Sequence, residues 1–220
     1  MLLSILILFF LLWLAVHFFR GSDIKPANKH FSPQWQADNE RYPLVFLPSS
    51  YYGANAPERL SHQPQRGSSE AYFFKYLKRY FPGCIFDNLA LRIKDDHYFP
   101  DFVLYYEPHD LWIDVEIDEP YSLPHGEPTH YIGADDRRNR FFTDKGWVVV
   151  RFTEEQVVRQ PLACCRFLAE LLQALTGDDS FLLELKTAPE LTIRPYPWTE
   201  EDSRHMAIYK TRQSYLRLTR

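Results

Sequence analysis

LWIDVEID, residues 111–118, is the stretch of sequence that decides the fold of this chain. Polar and apolar residues alternate along it, which is the period of a β-strand that presents a different surface on each side. The alternation predicts one acidic face, formed by Asp114, Glu116 and Asp118, and one apolar face that packs into a core. Such an acidic face is either a solvated surface of an antiparallel sheet or part of a site that holds a cation.

Helices and strands are predicted on both sides of this strand. In chain order, the prediction is a helix over 71–81, strands over 84–93, 101–106 and 111–118, a helix over 135–145, a strand over 147–152 and a helix over 162–175. Three consecutive strands can form a meander, and the helix after them is a crossover that lets the last strand enter the sheet parallel to a neighbour. This order predicts an α/β fold with an αβββαβ core and a mixed central sheet.

The rest of the chain divides into segments around this core. The prediction is a transmembrane anchor over 1–20, a linker over 21–66 with one short strand at 44–47, the core over 67–158 and a helical C-terminal extension over 159–220. The linker is rich in Pro, Gln, Asn and Ser and has no sustained period. In the extension, Thr199 followed by Asp202 predicts a capped helix that runs to about Arg217.

The N-terminus is the clearest local signal. Leu2 to Phe19 is almost wholly apolar and just long enough to cross a bilayer core of about 30 Å. A cleaved signal peptide needs basic residues before the apolar run and a small-residue cleavage site after it, and neither is present. Arg20, Lys25 and Lys29 follow the run, which predicts that this flank stays in the cytosol. We expect a single-pass membrane protein with its C-terminal domain in the cytoplasm; a cleaved signal and a soluble buried helix are the alternatives.

Composition excludes several classes of protein. The net charge of −4 rules out a bulk basic field for nucleic acid, so any such contact needs a local basic patch or a bound cation. Three cysteines, two of them adjacent, do not form the disulfide framework of a secreted domain, and buried reduced thiols are expected. His125 and His130 have the wrong spacing for a zinc protease, and Pro128 between them breaks a helix.

Carboxyl groups from two neighbouring strands are predicted to meet. Asp101 begins one strand and Glu116 lies on the next, and neighbouring strands are about 4.8 Å apart. Gathered carboxylates repel one another and lose solvation unless a cation compensates them. Hard oxygen ligands suit Mg²⁺, so we predict a Mg²⁺ (or Mn²⁺) site with Asp101, Glu116 and Asp118 as ligands.

Residues from about 68 to 155 resemble the PD-(D/E)XK superfamily of restriction-type nucleases. The superfamily pattern is an acidic residue on the first helix, then Pro-Asp, then Asp/Glu-x-Lys on the following strand; this chain offers Glu70, then Pro100-Asp101, then Glu116-Ile117-Asp118. The later residues are similar to a branch close to the very-short-patch-repair endonucleases, in which a His, a D-x-x-R helix and a G-W-x-V-x-R-F strand follow. The residues that fit these later positions are His130, Asp135, Arg138 and the strand at 146–152.

The resemblance implies a restriction-endonuclease-like core and metal-dependent hydrolysis of phosphodiester bonds. The implied catalytic residues are Glu70, Asp101, Glu116, Asp118 and His130. Asp118 stands where the superfamily usually has Lys, so one source of water orientation is missing. Lys94 and His130 are the candidates to replace that Lys.

Three arginines of the predicted helix over 135–145 are candidate phosphate contacts: Arg137, Arg138 and Arg140. The alternative is a solvated helix face on which they pair with Asp135 and Asp136. The sequence therefore predicts a membrane-tethered nuclease that acts on nucleic acid, with DNA favoured over RNA. The alternatives are a catalytically inactive nuclease fold that binds nucleic acid or protein at the membrane, and an interaction protein whose carboxylates are only surface groups.

Overall fold

The predicted strand over 111–118 is the central strand of a five-stranded sheet and has the predicted bounds. The computed structural model describes residues 39–50, 53–59, 66–94 and 96–219. Within them the strands are β1 (Leu44–Phe46), β2 (Glu58–Arg59), β3 (Ile85–Phe86), β4 (Leu89–Ile93), β5 (Asp96–Tyr98), β6 (Phe102–Tyr106), β7 (Leu111–Asp118) and β8 (Val148–Thr153). The helices are α1 (Ser68–Tyr80), α2 (Asp136–Asp144), α3 (Glu154–Arg159), α4 (Pro161–Thr176), α5 (Ser180–Leu185), α6 (Glu200–Ile208) and α7 (Arg212–Leu216).

The central sheet has the order β1-β8-β7-β6-β3 and mixes both strand directions. Strands β3, β6 and β7 form an antiparallel meander, and α2 then carries the chain to β8, which pairs parallel to β7. Strand β1 lies within the predicted linker and pairs antiparallel with β8. The prediction of an α/β fold with a mixed central sheet is confirmed.

The first predicted strand, over 84–93, is wrong as a single element. The chain pairs with β6 only through β3, bends at Asp87, and then forms β4 in a second sheet of order β2-β4-β5. The bend has a physical cause, because Asp87 is buried and pairs with Arg66. Lys94 turns the chain with a positive φ of 54°, and β5, which was not predicted, begins at Asp96.

The two faces of β7 pack against different layers. Its apolar face, with Ile113, Val115 and Ile117, joins a core built with α1, α3 and α4. Its other face meets a smaller apolar cluster that includes Phe142 of α2 and Leu91 of β4. The acidic face therefore lies beneath α2 and the small sheet.

The helix predicted from Thr199 to about Arg217 is two helices rather than one. Helix α6 begins with the predicted capping box, in which Thr199 and Asp202 exchange hydrogen bonds. Lys210 then takes a positive φ of 53°, which ends the helical path before α7. Helices α3 and α5 were not predicted. The predicted membrane anchor lies outside the described residues, and no helix within the described part of the chain is long and apolar enough to cross a bilayer.

Candidate functional site

The acidic face of β7 is buried. Asp114, Glu116 and Asp118 are 0%, 4% and 1% exposed, so the interpretation of this face as a solvated surface is wrong. Burying an unpaired charge costs several kcal/mol, so each of these carboxyl groups must be neutralised, paired or supplied with a cation.

Glu116 is held by an arginine from α2. Nη2 of Arg138 donates to Oε1 of Glu116 at 2.6 Å and to the carbonyl oxygen of Phe99 at 2.6 Å. Nη2 of Arg151 lies 4.0 Å from the other carboxylate oxygen. Burial acts to raise the pKa of Glu116, but the charges of Arg138 and Arg151 outweigh it and hold that pKa below its ordinary value. Glu116 is therefore ionised at neutral pH.

Asp101 lies beside Glu116, and the charge of Glu70 also acts on Asp101. Oδ2 of Asp101 accepts a hydrogen bond from the backbone N–H of Ile117 at 2.7 Å, which fixes this carboxyl group against β7. Burial and the charges of Glu116 and Glu70 raise the pKa of Asp101 well above its ordinary value, and burial raises the pKa of Glu70. Three predicted catalytic residues are thus linked through Asp101, and we call Glu70, Asp101 and Glu116 the acidic cluster. Unlike Asp118, His130 and Asp135, they do not form a group whose ligand atoms all lie within 4.8 Å of one another.

Asp114 extends the acidic cluster, and the sequence analysis did not include it among the site residues. It lies next to Glu116, but neither of its buried oxygens makes a hydrogen bond of normal geometry with any described residue. Burial and the charge of Glu116 raise the pKa of Asp114 well above its ordinary value. The alternation along β7 had placed Asp114 on the acidic face, which was the available signal.

Asp118 belongs to a second network, centred on Arg151 of β8. Nε and Nη2 of Arg151 donate to the two carboxylate oxygens of Asp118 at 2.9 and 2.7 Å. The hydroxyl of Tyr42 donates to Oδ2 of Asp118 at 2.8 Å, and Asn139 accepts from Nη1 of Arg151 at 3.0 Å. Both oxygens of Asp118 therefore have partners within the chain, in the place where the sequence predicted a cation.

His130 and Asp135 complete the network around Arg151. Nδ1 of His130 lies 2.8 Å from Oδ2 of Asp135 and 3.5 Å from Oδ1 of Asp118. We assign the proton to Nδ1, because ionised carboxylate oxygens can only accept. Burial acts to lower the pKa of His130, but the hydrogen bond to Asp135 and the charge of Asp118 raise it to about 9. The imidazole is therefore positively charged at neutral pH.

Asp118, His130 and Asp135 offer ligand atoms within 4.8 Å of one another, a spacing that also suits a metal ion. Nη2 of Arg151, however, donates to Asp118 at 2.7 Å and to Asp135 at 3.0 Å. In this structure a guanidinium nitrogen supplies the positive charge at that position. We assign this cluster to a salt-bridge network.

The remaining predicted residues lie away from the acidic cluster. Arg137 and Arg140 are exposed on α2, where they are accessible to phosphate groups, whereas Arg138 of the same helix is turned inward. Lys94 occupies the turn between β4 and β5. It belongs to the small sheet, and no contact with Asp101 or Glu116 is among those found in the described part of the chain.

A second buried ion pair, between Glu154 and Arg212, was not predicted from the sequence. Glu154, at the start of α3, accepts hydrogen bonds from Nε and Nη2 of Arg212 at 2.6 and 2.7 Å, and from the hydroxyl groups of Tyr215 and Ser69. Ser69 precedes Glu70 of the acidic cluster. No local pattern connects residues this far apart in sequence, so only the tertiary structure shows the pair.

Together these residues define a mixed α/β domain whose sheet buries an acidic cluster beside an arginine-centred network. No family model, curated protein or solved structure matches this chain.

Proposed function

We propose that this chain is a metal-dependent nuclease of the restriction-endonuclease-like fold, tethered to the cytosolic face of a membrane and acting on DNA in preference to RNA. The order of the elements supports the fold, because α1, the β3-β6-β7 meander, α2 and β8 follow the αβββαβ sequence. The N-terminal apolar run supports the tether.

The electrostatic interaction of Asp101 with both Glu70 and Glu116 carries the proposal. These acids come from three separate elements, and their mutual repulsion together with burial raises the pKa of Asp101. The donor set fits a hard divalent cation, since it consists of carboxylate oxygens, and Asp114 adds a buried carboxyl group without a partner of normal geometry. A cation would relieve the repulsion that burial imposes.

Mg²⁺ or Mn²⁺ would be held by Asp101 and Glu116, with Glu70 beside them. When bound, such an ion lowers the pKa of a water molecule and stabilises negative charge on a phosphodiester. In the metal-free protein the N–H of Ile117 holds Asp101, and Arg138 pairs with Glu116. The exposed Arg137 and Arg140 are placed to contact phosphates on the outer side of α2.

Cleavage of mixed DNA and RNA substrates by the full chain, with Mg²⁺ or Mn²⁺ and with a chelator, tests this function. We expect Asp101→Asn and Glu116→Gln each to reduce cleavage by about 100-fold or more, the scale on which loss of one charge-stabilising group acts. The double variant should be little worse than either single one, because the residues act as a unit. Asp144→Asn, an exposed acid at the end of α2, is the control and should cleave normally. Cleavage that persists in the chelator, or in Asp101→Asn, would contradict the proposal.

A catalytically silent nuclease fold that binds nucleic acid or protein at the membrane is the second candidate. The observation that favours it is that arginines already pair with the acids: Arg138 with Glu116 at 2.6 Å and Arg151 with Asp118 at 2.7 Å. Binding of nucleic acid that the chelator does not weaken, with no cleavage of any substrate, would support this candidate.

A further inference from the structure

Arg138 occupies a position that is suited to a cation. A single nitrogen, Nη2, contacts Oε1 of Glu116 and the carbonyl oxygen of Phe99, each at 2.6 Å. Phe99 lies two residues before Asp101, in the segment that leads into β6. A carboxylate oxygen and a backbone carbonyl oxygen are the types of ligand that hard divalent cations take.

The contact of Arg138 with the acidic cluster is incomplete. Its Nε is buried and has no hydrogen-bond partner in the described part of the chain. Asp114, whose charge also acts on Arg138, interacts with Glu116, but its two buried oxygens make no hydrogen bond of normal geometry with the described residues. The guanidinium therefore uses one of its nitrogens on Glu116, and a second carboxyl group stands beside it without a partner of normal geometry.

The aromatic rings of the small sheet and α2 hold the arginine at this place. Its guanidinium carbon lies 5.3 Å from the ring centre of Tyr98 and 5.4 Å from that of Phe142, distances at which a cation is attracted to a ring face. The attraction of the guanidinium to these rings does not require its contact with Glu116. The guanidinium therefore retains attractive surroundings when its contact with Glu116 is lost.

We propose that Arg138 is an internal counter-ion that competes with a divalent cation for Glu116. In the metal-free protein its guanidinium neutralises Glu116; a cation that binds Asp101 and Glu116 displaces it from Oε1 of Glu116. The proposal rests on the proposed function, because it concerns the same acidic cluster. It assigns to Arg138 a different role from that of Arg137 and Arg140, which face outward on the same helix.

If Arg138 competes with the cation, replacing it raises the affinity for the cation; if its role is purely structural, replacing it does not. Removing the charge of Arg138 should strengthen binding of the cation, although the variant loses an ion pair. Coupling free energies between sites ordinarily change affinities by about 5- to 150-fold, so we expect Arg138→Gln to bind Mn²⁺ about tenfold more tightly than the unchanged chain. Arg138→Lys keeps a positive charge and should bind Mn²⁺ within about threefold of the unchanged chain.

The test is titration of the full chain with Mn²⁺ alone. Binding is measured by calorimetry and by the electron paramagnetic resonance signal of free Mn²⁺. Arg137→Gln is the matched control, since it removes the same charge from an exposed neighbour, and its affinity should stay within about twofold of the unchanged chain. If circular dichroism shows that Arg138→Gln is unfolded, Arg138→Met is used in its place. Met keeps a long side chain beside Tyr98 and Phe142. Glu116→Gln added to Arg138→Gln should remove the tightened site.

The outcomes separate this inference from the proposed function. Tighter binding by Arg138→Gln than by Arg137→Gln supports the inference. Equal or weaker binding overturns it, even where the unchanged chain binds Mn²⁺ and cleaves nucleic acid. Binding by Arg138→Gln but not by the unchanged chain supports the inference and overturns the proposed cation-dependent activity. No binding by any variant overturns both.

Discussion

Arg151 is 1% exposed on β8, and its guanidinium faces the carboxylates of Asp118 and Asp135. The sequence marked this position, because Arg151 is the charged residue of an otherwise apolar strand, and a buried charge requires a partner. It did not identify the partner. The parallel register aligns Arg151 with Glu116, but its bidentate pair is with Asp118, two residues further along β7. That choice depends on side-chain reach, which alternation does not encode.

Burial of the acidic face was also beyond the sequence. Alternation correctly placed Asp114, Glu116 and Asp118 on the face opposite Ile113, but the same pattern is typical of a solvated antiparallel sheet. Whether a layer covers that face depends on where α2 and the small sheet pack. The sequence thus predicted the face and left its environment open.

His130 makes the stability of the domain depend on pH. Its pKa is about 9 in the folded chain, above the ordinary 6.5, so folding is favoured by its protonated form. This stabilisation is fully present below about pH 6.5 and is lost as the pH rises through about 9. Between pH 6 and pH 9.5, we expect the unchanged chain to lose about 1–3 kcal/mol more free energy of unfolding than His130→Gln loses. Urea unfolding at both pH values measures the difference, and parallel losses in the two proteins would contradict the assignment.

Among the helices, α7 is attached to the core by a buried ion pair. Arg212 and Tyr215 of α7 both donate to Glu154 of α3, and Arg212 also donates to the carbonyl oxygen of Tyr121 in the loop after β7. Glu154 in turn accepts from Ser69 of α1. The C-terminal helix is therefore connected to the helix that carries Glu70.

Removing the cation of this pair should destabilise the domain strongly. Arg212→Met leaves Glu154, which is 2% exposed, without its charge partner, and breaking a buried pair in this way costs about 3–5 kcal/mol. Chemical denaturation measures the loss. Arg217→Met, an exposed arginine one turn further along the chain, is the control and should change stability by less than about 0.5 kcal/mol. A loss below about 1 kcal/mol in Arg212→Met would show that α7 is not held by this pair.

The elements that the sequence predicted well are those with a sustained period. Strand β7 has the predicted bounds, and α2 and α4 differ from their predictions by one residue at each end. Helix α3 was missed because its six residues are too few to show a period, although Thr153 and Gln156 form a capping box at its start. The predicted strand over 84–93 failed because a single pattern covered β3 and β4, which pair in different sheets.

In the molecule as a whole, the acids on and beside β7 fall into two groups. The acidic cluster of Glu70, Asp101 and Glu116 is the group to which we assign a divalent cation, and Asp118 is paired with Arg151. The net charge of −4 agrees with local compensation of this kind, since no general basic surface is available to bind nucleic acid. Under the proposed function, phosphate contacts would come from local groups such as the exposed Arg137 and Arg140.

The position of a bound ion decides whether the acidic cluster is a cation site. A crystal of the chain soaked in Mn²⁺, measured at a wavelength where manganese scatters anomalously, locates the ion independently of any activity. We expect one anomalous peak within about 2.2 Å of carboxylate oxygens of Asp101 and Glu116. Arg138 should no longer contact Glu116. A peak among Asp118, His130 and Asp135 with Arg151 displaced, or no peak at either cluster at saturating Mn²⁺, would contradict it.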